Sequence, residues 1–137
     1  MNLLRIYIVL FFLGLGFQQA YSQSYRFKAS GFSVLEKKQR GNWGDWSNLA
    51  LVDLSVVLDT DKHRIVVYSQ EIQLYNILEY IEREENETDI VYSFLCKDNS
   101  GNDCKLSIIT RKNQDHRKQL YINFDNQIIV YNMDSVH

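Results

Sequence analysis

The chain has 137 residues, 45% of them hydrophobic and 23% charged, with 6 glycines and no proline. This is the composition of one globular domain, and it excludes a collagen-like repeat, a disordered tail and a multi-domain enzyme. Fifteen Lys and Arg against 17 Asp and Glu give a net charge of −2. That leaves no basic surplus to neutralise a phosphate backbone, so no nucleic acid is expected as a partner.

The first element is a leader. Arg5 precedes an uncharged run from Ile6 to Phe17, and the run ends in Gln18, Gln19 and the triplet Ala20-Tyr21-Ser22. Charged head, apolar middle and small-x-small end are the order of a secretory signal. The run is shorter than the roughly 20 apolar residues a membrane-crossing helix needs. We therefore read residues 1–22 as a signal peptide and 23–137 as a single β domain, periplasmic or secreted, with no stable membrane insertion after cleavage. Fourteen basic and 17 acidic residues then remain, for a net charge of −3.

A strand-like stretch from Tyr25 to Lys37 leads into Gly41-Asn42-Trp43-Gly44-Asp45-Trp46. The spacing supports two readings of this cluster. Trp43 and Trp46 form a ligand-binding platform for a sugar or a flat apolar molecule, or they cap one barrel end as core residues, each indole N–H meeting a carbonyl.

From Ala50 to Leu58 the even positions Ala50, Val52, Leu54, Val56 and Leu58 are apolar, while Asp53, Ser55 and Asp59 take the other face. This alternation marks a half-buried strand. A connection at Asp59-Thr60-Asp61-Lys62 leads into a second strand, His63 to Ser69, with Leu54 expected opposite Val67 and Val56 opposite Ile65. The stretch from Gln70 to Glu85 fits both a helical stripe (Leu74, Ile77, Leu78, Ile81) and a broken alternation. It is read as a strand because a helix would leave an unpaired sheet edge, with a short helix at 70–85 as the alternative.

Cys96 and Cys104 flank a stretch rich in turn formers, Lys97 to Asp103. As a hairpin this sets Cys96 against Cys104, Phe94 against Leu106, Tyr92 against Ile108 and Ile90 against Thr110. In an oxidising compartment a disulfide is expected between the two cysteines. A calcium loop on the same oxygens does not fit, because Gly101 stands fourth from Asp98 and no glutamate stands twelfth. Near the end Leu120, Ile122 and Phe124 alternate with Tyr121 and Asn123, and Asp125-Asn126 turns the chain into Gln127 to Met133.

Short polar turns between about eight strands predict an all-β fold, a small antiparallel up-and-down barrel, with a two-sheet sandwich as the alternative. Closure removes the edges an open meander would expose. The Gly-x-Trp of Gly41 and Trp43 is similar to the signature of lipocalins and avidins, a resemblance that implies an eight-stranded barrel and carries over no ligand. A longer series runs through Trp43 and Trp46, Tyr68-Ser69-Gln70-Glu71 with Gln73 and Tyr75, Cys96-Lys97-Asp98 with Gly101 and Cys104, Gln119-Leu120-Tyr121-Ile122, and Val130-Tyr131-Asn132. It resembles short exported Bacteroidetes-type proteins of unassigned activity. That resemblance implies export and a shared fold, and no catalytic residue.

Glu79, Glu82, Glu84, Glu85, Glu87 and Asp89 crowd one segment, and Arg111, Lys112, Arg117 and Lys118 flank another turn. Together they predict a polarised surface suited to steering a protein partner. His63, His116 and His137 lack metal-ligand spacing, and serine elbows, P-loops and His-Glu-x-x-His are absent from the sequence. No catalytic residue, metal or cofactor is implied. The sequence thus predicts an exported, non-enzymatic binding module for an unknown small ligand or a macromolecular partner. The alternatives are a protein inhibitor or interaction factor without an internal ligand, and then a small hydrolase.

Overall fold

The computed structural model describes residues 24–38 and 41–136; residues 1–23, which include the expected signal peptide, and Gln39, Arg40 and His137 lie outside the described residues. Among the described residues nine strands form one antiparallel sheet and no helix is present. They are β1 (Ser24–Glu36), β2 (Ala50–Asp59), β3 (Arg64–Val67), β4 (Gln73–Tyr80), β5 (Glu84–Glu85), β6 (Asp89–Asp98), β7 (Asp103–Arg111), β8 (Arg117–Asn123) and β9 (Gln127–Ser135). Each barrel strand pairs with its sequence neighbours, β9 returns to β1, and β4 pairs with β6, so eight strands close into an up-and-down barrel. The two-residue β5 is an extra strand on β6, taking up Val91 and Ile90 beyond the point where β4 ends. The barrel is thus the outcome, and neither the sandwich nor the helix at 70–85 forms.

Period-two alternation decides which side chains enter the lumen. Val56, Ile65, Val67, Leu106, Leu120, Ile122 and Met133 are fully buried and fill the middle of the barrel. Each removes enough apolar surface from water to contribute about 1.5–3 kcal/mol. The small residue Ala29 and a bulge between Ala29 and Gly31 bend the long β1 around this core. A second bulge between Ile77 and Glu79 resets β4 so that Tyr80 pairs with Phe94.

The hairpin of β6 and β7 has the expected register, with Cys96 opposite Cys104, Phe94 opposite Leu106, Tyr92 opposite Ile108 and Ile90 opposite Thr110. The expected disulfide, however, is not present: Cys96 and Cys104 are both buried free thiols. The sulfurs turn to backbone oxygens instead of to each other, Cys96 Sγ lying 3.7 Å from the Phe94 carbonyl and Cys104 Sγ 3.8 Å from the Cys96 carbonyl. Opposition in register brings two cysteines near, but the rotamers chosen by packing decide whether they bond.

The β2–β3 hairpin is displaced by two residues from expectation: Val56 opposes Val67 and Leu58 opposes Ile65. His63 adopts a left-handed conformation (φ 51°) and so stays in the turn, and the Lys62 amide donates to Asp59 Oδ1 at 3.1 Å. An even shift leaves every side chain on its predicted face. The final hairpin turns at Asp125-Asn126 as expected, the Phe124 amide donating to the Gln127 carbonyl at 2.8 Å.

The two ends of the barrel differ. At the end where β1 runs out and β9 begins, Tyr75 donates to Gln73 Oε1 at 2.6 Å, and Gln73 Nε2 donates to the Tyr131 hydroxyl at 3.1 Å and to Ser69 Oγ at 3.0 Å. Phe32 lies against Tyr131 and Phe124 against Tyr75. This end is plugged.

Candidate functional site

The opposite end, where β1 begins and β9 finishes, opens into a cup. Its volume is about 380 Å³. Phe27, Leu58, Phe94 and Ile108 form a buried apolar floor, and Tyr25, Tyr80 and Tyr92 stand round the rim, each 44–47% exposed. The middle layer of β-branched and leucine side chains closes the floor. Barrel mouths and clefts of roughly 300–1,000 Å³ are the usual places for small ligands.

Two of the rim tyrosines, Tyr80 and Tyr92, are held by side chains that do not line the cup. Tyr80 hydroxyl and His63 Nδ1 share a hydrogen bond of 2.8 Å, and the Tyr80 ring meets Phe94 edge-on at 5.6 Å between centroids. Burial, with smaller contributions from Cys96 and Asp59, pushes the Tyr80 phenol above its ordinary value. Arg83 Nε donates to the Tyr92 hydroxyl at 3.1 Å while its guanidinium lies over the Tyr92 ring. Arg83 also pairs with Glu85. An edge held in place before a ligand arrives spends less entropy on binding.

Thr110, Lys118 and Ser135 bring polar atoms to the lining. Lys118 precedes Leu120 and Ile122 by two and four residues, so alternation sends it into the lumen. Its Nζ donates to Thr110 Oγ1 at 3.1 Å. The basic residues around it in sequence suggest an exposed patch; the parity of Lys118 with Leu120 and Ile122 is the signal that it faces inward.

The tryptophans lie at the other end of the molecule. Neither is a core residue: Trp43 is 42% and Trp46 47% exposed. The segment carrying them runs back beside β1, with Gly44 N–H donating to the Glu36 carbonyl and Ser47 N–H to that of Val34, both at 2.8 Å. A Cβ on Gly44 would come within 3.1 Å of the Glu36 oxygen, which is why glycine suits that position. Lys37 Nζ sits 5.1 Å from the Trp43 ring centroid. Trp46 borders a shallow depression of about 180 Å³ on the outer barrel face, with Gln119, Tyr121, Val130 and Asn132.

The acidic and basic segments meet and pair. Lys112 Nζ contacts Glu85 Oε2 and the Asn86 carbonyl, and Arg111 pairs with Asp89 at 3.1 Å. Two hydrogen bonds, from Lys112 first and then Arg83, hold the Glu85 carboxyl below its ordinary range. The expected polarised surface is neutralised at Glu85 and Asp89, where the two segments touch. Among the described residues no group of three or more His, Cys, Asp or Glu is placed to hold a metal ion. At the Asp98 turn the carboxylate accepts from the amides of Ser100 and Asn102, at 2.9 and 2.8 Å, so its oxygens serve the loop's own backbone.

No family model, characterised protein or solved structure matches the chain.

Proposed function

We propose that this protein is an exported, non-enzymatic binding module that takes a small, largely apolar ligand into the cup at the open mouth of its barrel. The observation that carries this reading is the cup itself: an apolar floor, a rim of three tyrosines and room for a small molecule, in a barrel whose other end is plugged. Buried aromatic and aliphatic walls supply the driving force, and the polar ends of the tyrosines stay at the edge, those of Tyr80 and Tyr92 bonded to His63 and Arg83. A protein partner at the charged rim is the weaker alternative, because Glu85, Lys112, Asp89 and Arg111 satisfy one another. The tryptophan platform retains one supporting observation, the exposed Trp46 beside Gln119 and Asn132. A sugar ring stacked there would quench Trp46 fluorescence.

The cup reading is tested with N-phenyl-1-naphthylamine, a neutral apolar dye that brightens out of water. We expect saturable binding at one site per chain, weakened by about tenfold or more in Tyr80→Ala and Tyr92→Ala and unchanged in Leu51→Ser on the outer face of β2. Near-UV circular dichroism confirms that the variants fold. Non-saturable binding, or binding indifferent to both tyrosine substitutions, overturns the proposal.

A further inference from the structure

Resting on the cup as a ligand site, we infer that its ligand is a small amphiphilic acid, an apolar body seated on Phe27, Phe94 and Ile108 with an anionic head group held by Lys118. The cup is lined by apolar and neutral polar side chains apart from this one ammonium, and no Asp or Glu stands among its lining residues. Among the described residues the ion pairs engage Lys28, Arg83, Lys97, Arg111 and Lys112, but not Lys118. Its one hydrogen bond shown is to a neutral hydroxyl, Thr110 Oγ1 at 3.1 Å.

An inward-facing lysine is a costly choice at a position whose strand neighbours Leu120 and Ile122 are fully buried, because a partly desolvated cation needs compensation. A hydroxyl dipole gives only part of that compensation, and an anion arriving with the ligand gives the rest through a charge-assisted hydrogen bond. None of the neighbouring charged groups lines the cup. Arg83 is paired with Glu85, and Arg117, one residue before Lys118, lines a separate depression with Asp89 and Gln119 on the outer face. From β2, Asp59 follows the inward Leu58 and so takes the outer face. From β9, Ser135 brings a hydroxyl to the rim. Charge complementarity therefore selects an acid over a neutral or cationic ligand, and the depth of the apolar floor selects a hydrophobic body behind it.

Two dyes with the same ring system separate this inference from the one beneath it: neutral N-phenyl-1-naphthylamine and its anionic counterpart 8-anilino-1-naphthalenesulfonate. In the unaltered protein the anion is expected to bind about tenfold tighter than the neutral dye, with an advantage that shrinks as salt is added. Lys118→Met keeps the length and apolar stem of the side chain and removes its charge. It should abolish the advantage, bringing the ratio of the two affinities to about one, a ratio from which any effect on the cup common to both dyes cancels. Equal affinity for the two dyes in the unaltered protein, or an advantage that survives Lys118→Met, overturns the acid inference and leaves the cup standing. Failure of both dyes to bind saturably overturns the cup and the inference together.

Discussion

Gln73 and Tyr131 are 58 residues apart and join β4 to β9 by a hydrogen bond of 3.1 Å across the interior of the barrel. These two strands are not neighbours in the sheet. The bond is therefore a tie across the lumen, completed by Tyr75, whose buried hydroxyl donates to the same amide. Burial pushes the Tyr75 phenol far above its ordinary value, with further contributions from Cys104 and Tyr131, so it stays a donor throughout the usable pH range.

Removing the Tyr75 hydroxyl takes that donor from Gln73 Oε1, which is half-buried. Tyr75→Phe should destabilise the protein by about 0.5–1.5 kcal/mol, the net contribution of one intramolecular hydrogen bond. In urea the midpoint should fall with the slope unchanged. An unchanged midpoint would show that the plug is not closed by this bond.

The two thiols should be chemically quiet in the folded protein. Burial first, then the neighbouring Cys104, raises Cys96 to about 12, and burial first, then Asp98, raises Cys104 to about 11. Since thiolate is the reacting species, alkylation by N-ethylmaleimide at neutral pH should be slow in the native state and rapid in denaturant. Mass spectrometry after alkylation in denaturant without reductant should show two adducts per chain; none would mean the pair is oxidised.

The same thiols predict the alkaline limb of stability. Below an unfolded thiol value near 9 both states hold their protons and the stability is fully present. Above it the unfolded chain releases protons that the folded one keeps, so stability falls as pH rises towards 11 and 12. Each group contributes a slope of at most about 1.4 kcal/mol per pH unit. Cys96→Ala/Cys104→Ala should flatten this limb in urea melts taken between pH 8 and 10.5.

Leu106 is fully buried, whereas Leu51 on β2 is 86% exposed. Leu106→Ala should cost about 2–5 kcal/mol, and Leu51→Ala should lie within about 0.5 kcal/mol of the unaltered protein. Comparable thermal shifts for the two would contradict the inward and outward assignment of the strands.

Asp98 caps the turn between β6 and β7. Although burial opposes it, hydrogen bonds from Asn102, Ser100 and Gly101 hold its carboxyl below the ordinary range. Its contribution is present above the unfolded aspartate value and is lost as pH falls through the depressed folded one. Asp98→Ala should cost about 1 kcal/mol at neutral pH and progressively less in acid, read from thermal melts across pH 2–6. Gly101, at φ 86°, completes this turn in a conformation that side-chain-bearing residues avoid.

Strand content and hairpin pairing could be read before any coordinates, because alternation and turn chemistry are local. The whole β6–β7 register and the Asp125-Asn126 turn came from residue order alone. The β2–β3 register slipped by two because His63 stays in the turn, left-handed, with its ring bonded to Tyr80 at the far end of β4, a partner that residue order does not reveal. The disulfide failed for a related reason: register is a backbone property, but a bond between sulfurs depends on rotamers fixed by the surrounding core. Trp43 and Trp46 drew attention as large apolar residues between glycines, yet indole size says nothing about which end of the barrel opens.

By itself, then, the sequence determined a single antiparallel all-β domain, because a period of two and short polar turns leave few other ways to bury its apolar faces. Only the tertiary structure decided which mouth is plugged, since the Gln73, Tyr75 and Tyr131 tie forms between strands that the chain keeps far apart. The cup was decided in the same way. Tyr25, Tyr80, Tyr92 and Lys118 come from four strands, and only closure of the sheet sets them round one opening.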